Sequence, residues 1–175
     1  PVYIGFGSMA GREPEQLAGL VLAALAQCGQ RGVLLTGWGG LAATAVPDRV
    51  FVLDAAPHGW LFPQMAAVVH HGGAGTTAEG LRAGVPNVIV PFAFDQPFWG
   101  ARVQELGVGP APIPQKQLTV ERLARAIDRA VTDGAMRQRA AAVGAAVRSE
   151  DGLVDAVAAV KRILGAPGRR EEAAA

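Results

Sequence analysis

This sequence has almost no excess of either charge. Sixteen Lys and Arg stand against fifteen Asp and Glu in 175 residues, a formal net charge of +1. A surface that holds a polyanion needs a basic surplus, so nucleic acid is not expected as a partner. Cysteine is nearly absent as well. Cys28 stands alone, cannot form an internal disulfide, and reads within its apolar helical pattern as a small buried hydrophobe. No apolar run approaches the ~18 residues of a membrane span, which excludes a simple spanning helix. The composition reads as that of a cytosolic protein. Asp-x-Asp occurs nowhere, so no carboxylate pair offers an obvious metal cradle, and neither a metal nor a resident cofactor is expected.

What is present is an alternation of strand and helix signals. The length fits one domain with a core of its own. Val2–Phe6 reads as a strand with no lead-in, the pattern of a domain trimmed from something longer. Pro14–Gln27 follows as a helix, with Leu17, Leu20, Val21, Ala24 and Leu25 at helical spacing and glycines after its end. Val33–Thr36, Val50–Leu53, Ala67–His70 and Val88–Val90 are short apolar runs bounded by Gly, Pro and Asp, as buried parallel strands are. Thr77–Ala83 and Asp95–Leu106 read as helices. Beyond Pro114 three helical stretches present apolar faces, the last through Leu153, Val154, Val157, Val160 and Ile163. The expected architecture is α/β, a Rossmann-like parallel sheet with helices on both faces over residues 1–165, and residues 166–175 are a frayed tail. Such sheets bind ligands beyond the carboxyl ends of their strands.

Two strand-to-helix turns are stripped of side chains. Gly5-Phe-Gly-Ser-Met-Ala10 and Gly73-Ala-Gly-Thr-Thr-Ala78 both match G-x-G-x-x-A, which opens a dinucleotide reading. That reading needs a carboxylate at the end of the second strand, and Val33-Leu-Leu-Thr-Gly-Trp38 has none. The second turn offers another chemistry. Ala67-Val-Val-His-His-Gly-Gly-Ala-Gly-Thr-Thr-Ala-Glu79 brings His71, bare backbone from Gly72 to Gly75, and Thr76 with Thr77 to the start of a helix. Free amides and the helix dipole make such a corner an anion site, and here it would neutralise a diphosphate without metal.

At these residues the sequence resembles the donor-binding C-terminal half of GT-B glycosyltransferases. Ala56-Pro-His-Gly-Trp-Leu-Phe62, His70-His-Gly-Gly-Ala-Gly-Thr-Thr77, Gly84-Val-Pro86 and Pro91-Phe-Ala-Phe-Asp-Gln-Pro-Phe-Trp-Gly100 look most like sterol 3-beta-glucosyltransferases and their bacterial relatives. The resemblance covers residues 2–164. It implies that His71, Gly73, Gly75 and Thr76 hold the diphosphate, with Thr77 beside them and Ser8 near the phosphates. It implies that Glu79 accepts from the ribose hydroxyls, and that Asp95 and Gln96 bind the sugar. Uracil would sit near Ala56, supported by main chain and by Trp38, because the stacking tryptophan of related plant enzymes aligns with Ala55.

Rival readings stay open at several of these positions. Thr76-x-x-Glu79 is also a capping box, and Asp95 before Pro97 also suits a helix start. His58 and Trp60 are donor ligands or packing residues of a short turn. His70 faces away from His71 on a strand and reads as structural or as a support for the residues that meet the ligand, and Trp99 reads as packing its helix on the sheet.

The resemblance implies an inverting, metal-independent transfer from a UDP-sugar, UDP-glucose first, to a lipophilic acceptor such as a sterol, with at most peripheral membrane contact. It places the base, a histidine, in an N-terminal acceptor domain, so this chain alone is expected to be inactive. The alternative is a stand-alone nucleotide-sugar-binding subunit or pseudo-enzyme that needs a separate partner chain.

Overall fold

Two-residue alternation decides what each strand shows to each side of the sheet. In β1 (Val2–Gly5), Val2 and Ile4 join one core layer while Tyr3 joins the other. In β4 (Ala67–His70), Ala67 and Val69 go with the first layer and Val68 with the second, so His70 shares the side of Val68. With β2 (Gly32–Leu35), β3 (Val50–Leu53) and β5 (Asn87–Ile89) these strands form one sheet in the order β3-β2-β1-β4-β5, every pair parallel. Outside β5 the chain runs alongside once more: Asn87 N–H donates to the Val108 carbonyl at 3.0 Å, and Ile113 N–H to the Ile89 carbonyl at 3.0 Å.

This computed structural model describes residues 1–7, 9, 14–36 and 46–165. Ser8, Trp38 and the tail read at 166–175 lie outside the described residues.

Helices cover both faces. α1 (Pro14–Gln27) and α5 (Val120–Thr132) pack on each other and on the first core layer, burying Val21, Leu25, Leu123 and Ile127. The short α2 (His58–Leu61) runs into a 3-10 turn at Phe62–Gln64, and Leu61, Phe62 and Met65 fill the second layer. α3 (Ala74–Ala83) packs on α6 (Gly134–Ser149), and α4 (Gln96–Glu105) adds Val103 to a third cluster with Ile89 and Ala140.

Three features differ from the sequence expectations. α3 begins at Ala74, three residues before Thr77, and takes Gly75 into its first turn. Cys28 is only half-buried, its thiol directed at the Leu25 carbonyl, 3.6 Å away. α7 (Gly152–Gly165) forms as expected, but among the described residues its apolar stripe stays exposed: Leu153 is 76% and Ile163 75% exposed. No helix among the described residues is long and apolar enough to cross a membrane.

Candidate functional site at the strand ends

The strand order places a crevice. From β1 the chain winds outward through β2 and β3, then returns to β4 on the other side of β1 and continues to β5. The carboxyl ends of β1 and β4 are therefore the switch point of the sheet, the place where this architecture binds ligands. His71 follows β4 and stands at that switch point. Its ring faces bare backbone on two sides. A Cβ added to Gly7, in the turn after β1, would come 3.4 Å from His71 Cε1, and one on Gly73 would come 2.5 Å from Nε2. The two glycine turns legible in the sequence thus meet at one imidazole. The G-x-G-x-x-A motif holds Gly7, but nothing in the sequence ties Gly7 to His71.

His70 and His71 divide their work. His70 is fully buried; its Nδ1 accepts the Gly72 N–H at 3.1 Å, so its proton sits on Nε2, which donates to Asn87 Oδ1 at 2.9 Å. Asn87 in turn donates through Nδ2 to the Val85 carbonyl at 2.8 Å. This chain holds Gly72 in the left-handed region, φ 89°, where any side chain would be strained and would strike Ile89. Burial lowers the His70 pKa to about 4, so the ring is neutral at pH 7. His70 is structural, as its place on the strand implied.

His71 has no such partners. It is half-buried, its Nδ1 is buried without a hydrogen bond among the described residues, and the Thr77 hydroxyl shares that condition. Burial pushes the His71 pKa down, opposed by the Asp95 carboxylate and reinforced by His58.

Behind it α3 starts with Gly73 at its N-cap, extended at φ −63° and ψ 144°, with no side-chain cap. Thr77 N–H makes the first intrahelical bond, to Gly73 O at 2.9 Å, which leaves the amides of Ala74, Gly75 and Thr76 without helical acceptors. Thr76 is therefore inside the first turn, and the Thr76-to-Glu79 capping box is not formed. Among the described residues, a Cβ on Gly75 would meet nothing within 4 Å.

The remaining candidates ring this corner. Glu79, one turn into α3, has its carboxylate close to Gly59 and within electrostatic reach of His58. His58 stacks on Phe62 at 4.4 Å and lies 3.2 Å from the Tyr3 hydroxyl, which makes it part of the packing as well as of the rim. Ala56 is half-buried against the second core layer, and Trp60 points outward, 63% exposed.

On the next loop over, Gln96 is buried, and its Oε1 accepts from Phe92 N–H at 2.7 Å and Ala93 N–H at 3.1 Å, so its oxygen is committed to shaping the loop. Asp95 occupies the N-cap position of α4 without capping; its Oδ2 instead accepts the Trp99 indole N–H at 2.8 Å. Trp99 is half-exposed and lies outside the core clusters, so its expected packing role gives way to this bond.

With this geometry in view, comparison with known proteins is decisive. Residues 21–162 match the family described as erythromycin biosynthesis protein CIII-like, C-terminal domain. The chain belongs to that family. It is 51% identical over 166 residues to a sterol 3-beta-glucosyltransferase of Arabidopsis thaliana, covering 94% of this chain and 27% of the relative. Among solved structures, the calicheamicin glycosyltransferase superposes with a TM-score of 0.78 at 27% identity, over 95% of this chain and 44% of that one. The glycosyltransferase VinC, in complex with DTDP, superposes with a TM-score of 0.73 at 25% identity, over 93% of this chain and 41% of that one. The fold is thus the Rossmann-like half of a GT-B glycosyltransferase. The chain spans about a quarter of the length of the curated relative it matches.

Proposed function

We propose that this chain is the donor-binding half of an inverting, metal-independent glycosyltransferase that takes a UDP-sugar, UDP-glucose first, and serves a lipophilic acceptor such as a sterol. The β4–α3 corner carries the reading. Among the described residues the amides of Ala74, Gly75 and Thr76 have no helical acceptors, and His71 Nδ1 and the Thr77 hydroxyl are buried without a partner, at the strand ends where this architecture binds ligands. A diphosphate supplies acceptor oxygens to each kind of donor, and the helix dipole favours its charge. In this reading Glu79 and His58 serve the ribose, Ala56 the base, and Asp95 with Gln96 the sugar; Ser8 and Trp38, assigned by the resemblance to the phosphates and the base, lie outside the described residues. UDP-glucose is a substrate here, and the chemistry calls for no resident cofactor.

In the reaction the acceptor oxygen attacks the anomeric carbon. The bond from that carbon to the phosphate oxygen breaks, and its electron pair leaves with UDP. The acceptor proton passes to a base in the acceptor domain. This chain's part is to hold the donor in line and to stabilise charge gathering on the departing diphosphate. The expected partner is that acceptor domain, so the chain alone should form no glucoside, and restoring the domain should restore turnover. The donor-site reading is tested by calorimetry with UDP and UDP-glucose in the presence of a chelator. Binding is expected without metal; binding that appears only with added magnesium or manganese would refute the metal-independent site.

A further inference from the structure

The rim holds one carboxylate that does not act as its position invites. Aspartate at a helix start ordinarily turns to its own helix amides. Asp95 stands there with a helical backbone, φ −81° and ψ −5°, and caps nothing. Its Oδ2 is held 2.8 Å from the indole nitrogen of Trp99, one turn further on. Trp99 is itself braced edge-on by Phe98, with ring centroids 5.1 Å apart at 77°. An indole N–H can only donate, so Asp95 Oδ2 is the acceptor of this pair. The other oxygen, Oδ1, has no partner among the described residues.

Two forces would pull this carboxylate out of place. Its own helix amides compete for it, and an anion bound in the neighbouring corner would repel it, because Asp95 lies within electrostatic reach of His71. The indole opposes both. We infer that Trp99 is a positioning residue for the transferred sugar: its N–H holds one oxygen of Asp95 away from the α4 amides and leaves the other to accept a sugar hydroxyl. The inference rests on the donor-site reading above and extends it to a residue that touches neither nucleotide nor sugar.

The test is a double-mutant cycle on the full chain, with UDP and UDP-glucose titrated by calorimetry into wild type, Trp99→Phe, Asp95→Ala and the double variant. Trp99→Phe should weaken UDP-glucose about fivefold, the worth of one ordinary hydrogen bond, and leave UDP within about twofold. In the Asp95→Ala background Trp99→Phe should change nothing further, an outcome that a general packing role for the ring would not produce. Equal losses for both ligands, or additive losses in the double variant, would overturn the inference while leaving the donor site standing. A wild type that binds neither ligand would overturn the donor-site reading and this inference together. Should Trp99→Phe fail to fold, the wild-type indole N–H resonance decides. It should move when UDP-glucose is added and stay when UDP is added; the same response to both would refute the positioning role.

Discussion

Helices at the two sides of this molecule begin differently. α5, α6 and α7 each start under a side-chain cap: Thr119 accepts from Arg122 N–H at 3.2 Å, Asp133 from Met136 N–H at 2.9 Å, and Asp151 from Val154 N–H at 3.1 Å. α2, α3 and α4, whose starts follow the strand ends, have none; their N-cap residues are Pro57, Gly73 and Asp95. A cap satisfies amides that otherwise need water or a ligand. Leaving it out at the strand ends forgoes stability at the edge where the fold has its crevice. The contrast recurs inside the β4–α3 corner, where His70 has both ring nitrogens bonded and His71 keeps a buried nitrogen free of any described partner. Unmet hydrogen-bonding capacity, more than shape, marks the working side.

The sharpest way to break that contrast is with acid, through His70. Unfolded, its imidazole titrates near 6.5; folded, it stays neutral down to about 4. As pH falls from 6.5 to 4 the unfolded chain takes a proton that the native chain refuses, so stability should drop by on the order of 3 kcal/mol and then level off. Chemical denaturation followed across that range measures it, and His70→Ala should remove this part of the slope while lowering stability at pH 7. A slope unchanged in the variant would assign the loss to other groups.

Next in size is the opposite phenotype at His71. His71→Ala should weaken UDP about tenfold or more, the loss of roughly 1.5–3 kcal/mol for a hydrogen bond to a charged group, with uridine affinity and stability almost unchanged. Parallel titrations with UDP and uridine separate the phosphate from the nucleoside. Exchange of the His70 and His71 phenotypes would reverse the division of labour.

The smallest effect belongs to the capped side. Thr119→Ala should cost about 1 kcal/mol of stability and leave UDP affinity untouched. Thermal melts with and without UDP read both quantities, and a change in affinity would erase the distinction between the two sides.

Much of this was legible in the sequence, for identifiable reasons. The strands at Val50–Leu53 and Ala67–His70 and the helix at Pro14–Gln27 fall where apolar period and Gly or Pro punctuation place them. The four residues of α2 were not, since one helical turn has no period to read. The stripe on α7 was visible, yet amphipathicity says that a face wants cover and not what covers it. His71 could be singled out because glycines surround it. Its nearness to Gly7 could not, because it joins turns 64 residues apart, from 7 to 71, that only the strand order brings together. The Trp99 bond to Asp95 was hidden for another reason. Spacing of i and i+4 allows it, but a side-chain rotamer decides whether Asp95 caps its helix or meets the indole.

The central claim is that the uncapped start of α3 and His71 together hold a diphosphate, and amide and imidazole NMR on the full chain tests it most directly. On adding UDP with a chelator present, the amides of Ala74, Gly75 and Thr76 and the His71 ring should shift in one saturable step, while His70, bonded on both nitrogens, keeps its tautomer and moves little. Shifts that gather elsewhere, as along the arginine-lined groove of Arg122, Arg125 and Arg129, with the β4–α3 corner unmoved, would contradict the account.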